Sequence, residues 1–432
     1  MTELPPLPFE ARRDLILTRL AGGSMVLPAA PVQFMGGDSE YRYRPDSELL
    51  YATGWAGPNC VAVLRGFADG DRFVLFVPER DAKAELWTGP RPDLEEVKER
   101  YGADVVHPLR ELAERGPGLL AGGDTIHYRL AASAGCDGVV REALRRGRVR
   151  RARKGAGAHV LADPGAVLDG MRLRKDEAEI ARMREAARIT VEAFRDALPE
   201  VRPGAGEWEV EAVIESGFRR RGAGGPAFAT IVASGANACT LHYSANGSRI
   251  GADDLVLIDA GAEFGWYAAD ITRTVPASGR LDGARGEAHE VVRRAHRAAV
   301  AACTPGGTVE EVHEEACFAI AEGLVGMGVV EGTVWQVLAA KRHRAFYPHQ
   351  TSHWLGLDTH DPGLYRDGDG PVRLEPGMVF TVEPGLYFGP GSCPRVPELE
   401  GTGIRIEDDV LITEEGAEVL TEGLGVGWGT EG

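Results

Sequence analysis

The sequence predicts a two-domain chain of mixed α/β (α+β) class with an internal duplication in its C-terminal part. Three observations point there: short β-rich runs alternate with helical patterns in the first third, a helix–Pro-Gly–helix unit occurs twice later, and each copy leads into a pair of apolar strands with a central acid. The 432 residues would allow about three domains at roughly 150 residues each, but large α/β units exceed that size. We place the boundary near Asp163-Pro164, giving domains 1–162 and 163–432.

Between Ala11 and Arg150, Val61–Leu64 and Phe73–Val77 read as strands and Asp93–Tyr101 as a helix. Eight basic residues fall between Arg141 and Lys154; beside Gly155-Ala-Gly157 they read as a solvated helix end running into a linker. The pattern of Asp176–Leu198 aligns Ile180, Met183, Ala187, Val191, Phe194 and Leu198 as a core stripe. Pro203-Gly204 and Pro305-Gly306 then mark the repeated turn, with Glu209 and Glu311 each six residues beyond the proline. In one copy an apolar strand ends in Asp259 and the next centres on Asp270. In the other copy the corresponding acids are Glu383 and Glu407.

A net charge of −17 repels phosphate backbones and anionic membranes, so nucleic acid and membrane surfaces are poor partners and a small molecule or peptide is the expected one. The longest uncharged stretch, Gly222–Ser248, is broken by Pro226, Asn237 and Asn246, which excludes a membrane helix of ~20 apolar residues there. Six cysteines without C-x-x-C spacing, and an N-terminus lacking the regions of a secretory signal, predict a reduced, cytoplasmic protein. The run Gly423–Gly429 reads as a loose terminus, since no helix follows it.

An acid inside an apolar strand is costly unless paired or bound to a cation. With the first hairpin turning at Phe264-Gly265, Asp259 faces Asp270 with Cβ atoms about 5 Å apart. Their repulsion is relieved by a raised pKa or by divalent cations, and only cations also account for Glu383, Glu407 and the nearby His242, His349, His353 and His360. His289, His296, His313 and His343 lie on charged helical patterns and read as solvated. A donor set of carboxylates with one imidazole favours Mn²⁺, or else Co²⁺, Fe²⁺, Mg²⁺ or Zn²⁺, over a thiolate zinc site. Five ligands suffice for two ions ~3.5–4 Å apart. No G-x-S-x-G, Walker A or H-E-x-x-H motif competes.

In order along the chain, Leu241-His-Tyr243, Val256–Gly261, Asp270-Ile-Thr-Arg-Thr274, His349–Asp361, Leu374–Val379, Thr381–Tyr387 and Gly403–Asp409 resemble the pita-bread metallopeptidases, and within them the aminopeptidase P group. Asp38–Trp55 resembles the N-terminal domain of that group. The resemblance implies a pita-bread catalytic domain and hydrolysis of the bond between an N-terminal residue and a penultimate proline, by water activated at two divalent ions. It implies Asp259 on one ion, His353 and Glu383 on the other, and Asp270 and Glu407 between them, with Glu383 also shuttling a proton. His242, His349 and His360 would line the cleft, and Arg405 would hold Asp259 or Tyr387. Asp38 and Trp87 match positions that reach a neighbouring subunit's site, implying a homodimer or homotetramer, whereas the Arg366–Arg373 loop departs from the family pattern. A prolidase restricted to dipeptides shares the five ligands; a metal-free creatinase-like enzyme or a peptide-binding module would not keep them all.

Overall fold

The structure is a computed structural model that describes residues 4–425. The chain divides into two compact units, Leu7–Met171 and one running from Arg172 onward. The first is built on β1 (Ser24–Pro28), β2 (Val61–Arg65), β3 (Phe73–Val77), β4 (Val105–Pro108), β5 (Thr125–His127) and β6 (Val160–Ala162), in the order β4-β3-β2-β1-β5-β6. β1 pairs antiparallel with β2 and parallel with β5. The central strands are buried on both faces, which is why Phe73–Val77 is an unbroken apolar run. The helix Ala134–Lys154 packs through Cys136, Val139, Val140 and Ala143, and its basic last turns are exposed up to Gly155, whose φ of +77° ends it.

The second unit begins with α1 (Glu177–Ala197), opened by a capping box in which Asp176 and Glu179 each take the other's backbone N–H. α2 (Glu207–Arg220) follows the Pro203-Gly204 turn, and α3 (Gly283–Ala302) and α4 (Val309–Gly326) repeat the unit around Pro305-Gly306. The strands beneath are β7 (Ile231–Ser234), β8 (Leu255–Ala260) and β9 (Ile271–Pro276), then β10 (Val379–Val382), β11 (Gly385–Phe388), β12 (Thr402–Arg405), β13 (Asp408–Ile412) and β14 (Ala417–Val419). They form sheets ordered β7-β8-β9, β10-β13-β14 and β11-β12. One core joins Phe194, Ile214 and Phe218 to Val256 and Ile258; a second joins Val292, Ile320 and Leu324 to Leu386, Phe388 and Ile404. Each helix pair thus buries its apolar face on its own strands. Among the described residues no helix is long and apolar enough to cross a membrane. The Gly423–Gly429 run lies largely outside the described residues.

Two expectations are corrected. The hairpin turns at Gly265-Trp266, where φ values of +57° and +75° make a two-residue turn of the primed type, so Phe264 pairs with Tyr267. The register moves by two residues: Asp259 faces Thr272, and Asp270 lies diagonally across the same face. The helical histidines are not solvated. His289, His296 and His343 are buried; His289 Nε2 lies 3.1 Å from the Thr274 carbonyl, His296 Nε2 3.0 Å from Asp408, and His313 Nδ1 2.7 Å from the Thr351 hydroxyl. All six cysteines are free, and five are buried.

Candidate active site

Strand ends bring the acids together. Asp259 is next to last in β8, Asp270 directly precedes β9, Glu383 directly follows β10, and Glu407 sits at the break between β12 and β13. At Gly261 a Cβ would lie 1.6 Å from the Ala269 carbonyl oxygen, so only glycine admits this crossing. Beside it Asp270 leaves the ladder and donates its N–H to the Asp409 carboxylate at 3.0 Å. Asp259, Asp270, Glu383, Glu407 and Arg405 line one cavity of about 1040 Å³ with His242, His349, His353 and His360.

Asp270, His353 and Glu407 each offer a ligand atom within 4.8 Å of the others. His353 Nε2 is 3.5 Å from Asp270 and 3.7 Å from Glu383, while its Nδ1 is 3.1 Å from the Trp354 carbonyl. A proton on Nδ1 donates to that carbonyl and leaves the Nε2 lone pair facing the acids, the tautomer a metal ligand needs. Thr272 donates to Glu407 at 2.5 Å. Arg405 spreads its fork over Asp259 at 2.5 Å, the Tyr387 hydroxyl at 2.9 Å and Thr272 at 3.1 Å. The Tyr387 hydroxyl in turn donates to His349 Nε2 at 2.9 Å, and His349 Nδ1–H to the Gln350 carbonyl at 2.8 Å. His360 stands edge-on to His353, with ring centres 4.4 Å apart.

The electrostatics call for cations. Burial, then the charge of Asp259, holds Asp270 well above the ordinary carboxylate range; burial, then Asp270, does the same to Glu407. Burial raises Glu383 to about 7 against the opposing charges of His353 and Arg405. Asp259 Oδ1 and Asp270 Oδ1 are buried without a hydrogen-bond partner. Buried, unpaired oxygens on mutually repelling acids beside one free imidazole nitrogen are a donor set that hard divalent ions fit.

Asp38 and Trp87 lie in the first unit, Asp38 in the exposed turn between Phe34–Gly36 and Ser39–Glu40, and Trp87 86% exposed on a helix without buried side chains. Arg366 lines the second unit's cavity and pairs with Glu310 at 2.5 Å, while Arg373 donates to the Gly306 carbonyl. Sequence reasoning passed over several supporting groups. Asp408 and Asp409 are as buried as Glu407. Arg273 donates to Asp408 at 2.7 Å and to the Glu407 carbonyl at 2.6 Å, and it holds the Asp408 carboxyl low against burial. Three successive acids in an apolar strand were the available signal, since at most one face of a strand reaches the site.

The model of metallopeptidase family M24 matches residues 181–414, and that of the aminopeptidase P N-terminal domain matches residues 9–127. The chain is 40% identical to the Xaa-Pro aminopeptidase of Escherichia coli K12 over 430 residues, covering 98% of this chain and 96% of that one. It is 33% identical to Xaa-Pro aminopeptidase 1 of Streptomyces coelicolor, covering 96% and 84%. The structure of Pseudomonas aeruginosa aminopeptidase PepP superposes with a TM-score of 0.93 at 39% identity, covering 98% and 96%. A substrate complex of E. coli aminopeptidase P does so with a TM-score of 0.90 at 38% identity, covering 96% and 94%.

Proposed function

Because this chain belongs to metallopeptidase family M24 and carries an aminopeptidase P N-terminal domain, we propose that it is an Xaa-Pro aminopeptidase, releasing the first residue of peptides whose second residue is proline. The observation that carries this reading is the convergence of four strand-end carboxylates and His353 in one cavity, with two buried oxygens unpartnered. Asp259 would hold one divalent ion, His353 and Glu383 a second, and Asp270 and Glu407 both. Mn²⁺ suits these donors best, and Co²⁺, Zn²⁺, Fe²⁺ or Mg²⁺ also fit them. Once bound, such ions supply acidified water and polarise the scissile carbonyl.

The protein groups do the rest. Glu383, its carboxylate 3.7 Å from His353 in the same cavity, takes a proton from the attacking water and passes it to the departing prolyl nitrogen, which carries no hydrogen of its own in the Xaa-Pro bond. His242 and His360, on the open side of the cavity, donate N–H groups to the carbonyl oxygen as charge builds on it. His349 is kept neutral by burial, its pKa lowered to about 4, and packs beside the proline ring. Arg405 holds Asp259 in place, and Tyr387 links Arg405 to His349. We assign the protein to the cytoplasm as a homodimer or homotetramer in which the exposed Asp38 and Trp87 reach a neighbouring subunit's site.

Matched peptides Xaa-Pro-Yaa-Zaa and Xaa-Ala-Yaa-Zaa, with the released residue identified by mass spectrometry, test the specificity. Release from the proline peptide alone is expected. Equal release from both would make the protein a general aminopeptidase and overturn the reading.

A further inference from the structure

Beside Glu383 lies a polar chain that the mechanism above does not use. The Tyr347 hydroxyl is 2.6 Å from Thr351 Oγ1, Thr351 Oγ1 is 2.7 Å from His313 Nδ1, and His313 Nε2 is 3.4 Å from Cys317 Sγ. Tyr347 and Thr351 are fully enclosed, and burial keeps the His313 ring neutral, its pKa lowered to about 4. Each hydroxyl and the neutral ring has one proton to give. A single direction places all three: Tyr347 O–H to Thr351 Oγ1, Thr351 O–H to His313 Nδ1, and His313 Nε2–H to Cys317 Sγ. Run the other way, the chain leaves the enclosed Tyr347 proton without an acceptor among these groups.

The middle of this chain is joined to the site. The Thr351 carbonyl accepts the Glu383 backbone N–H at 2.8 Å. Thr351 stands two residues from both His349 and His353, and the Tyr347 ring packs edge-on against His349 at 5.0 Å. The far end is anchored on α4, where His313 and Cys317 are one turn apart. We propose that His313 is a positioning residue: through the Thr351 hydroxyl it fixes the segment that carries His349 and His353 and the backbone that holds Glu383. The inference rests on the peptidase reading above. It assigns His313 no contact with substrate.

The test uses full-length protein with added Mn²⁺ and the substrate Xaa-Pro-Yaa-Zaa. His313→Leu removes the acceptor at similar bulk, Thr351→Val removes the hydroxyl isosterically, and His313→Asn puts an amide oxygen where Nδ1 stood. The leucine and valine variants should lose about tenfold or more in kcat, with KM and bound Mn²⁺ per chain close to wild type and Tm lowered by no more than the few degrees that one unsatisfied buried hydroxyl costs, and the asparagine variant should recover most of the kcat loss. Should His313→Leu fail to fold, Thr351→Val against Thr351→Ser carries the comparison. Leucine and valine variants within about twofold of wild-type kcat, or an asparagine variant as slow as the leucine one, overturn the inference while an active wild type leaves the peptidase reading intact. A wild type that releases nothing overturns the peptidase reading, and this inference with it.

Discussion

Arg405 shows how much one side chain carries in this site. Its three hydrogen bonds reach Asp259, Tyr387 and Thr272, and the first two tie a proposed ligand to the His349 side of the cavity. Removing one partner of a buried ion pair costs about 3–5 kcal/mol, and lysine cannot reproduce a planar fork. Arg405→Lys should therefore lower kcat by about 10–100-fold and weaken metal retention, read by turnover and by metal content after dialysis; unchanged values in both would remove Arg405 from the site's support. Asp270→Asn should abolish turnover while leaving circular dichroism unchanged, because a neutral amide could not take the place proposed for Asp270 between two cations. Near-normal turnover would deny Asp270 its shared role. At this scale the four acids were legible as charges inside apolar runs, the histidines as a cluster near those runs, and Arg405 through the family resemblance. Thr272, Thr351, His313 and Asp409 were not, since a hydroxyl in a strand or a histidine on a charged helix looks like surface until the tertiary contacts are known.

The elements reach the site through backbone crowding as much as through side chains. Gly261 lets β8 cross beside Ala269, and Gly403 lets β12 cross the Ala238 carbonyl, where a Cβ would lie 2.1 Å away. Gly261→Ala and Gly403→Ala should each destabilise the fold by more than about 3 kcal/mol or prevent soluble expression, as urea unfolding reads out; a change under about 1 kcal/mol would mean the crossings relax. The strands themselves were readable as apolar runs, and the helix pairs before them from the repeated Pro-Gly turns. The register was not. A turn at Phe264-Gly265 and one at Gly265-Trp266 keep the same face toward the acids, so the hydrophobic pattern cannot separate them, and the positive φ of Trp266 is unusual for an aromatic residue.

Across the whole molecule, three buried imidazoles make a contribution to stability that acid removes. Burial lowers the pKa of His289, His313 and His343, His313 to about 4. Each folded value lies below the unfolded one, so at these three rings the unfolded chain takes up protons first and their contribution to stability falls as pH drops below about 6.5, opposite in sign to that of the raised Asp270, Glu383 and Glu407. Between about pH 7.5 and about pH 5.5 the wild type should lose more Tm than His313→Asn, which has no ring to protonate. Equal losses would show that His313 titrates as it does in the unfolded chain. The two-part organisation was evident from the glycine-containing linker after the basic cluster, and the duplication from the repeated Pro-Gly turns and acid-bearing strands; how deeply the charged residues are buried emerges only when the sheets and helices enclose them.

The strand-end carboxylates and His353 are proposed to form a cation-dependent site that cleaves after the first residue of a proline peptide. The most direct measurement is hydrolysis of Xaa-Pro and Xaa-Pro-Yaa-Zaa by chelator-stripped protein, with and without Mn²⁺. No cleavage without the ion and Mn²⁺-restored release of Xaa from the longer peptide are expected; cleavage by protein confirmed free of metal, or of the dipeptide alone, would contradict a cation-dependent Xaa-Pro aminopeptidase.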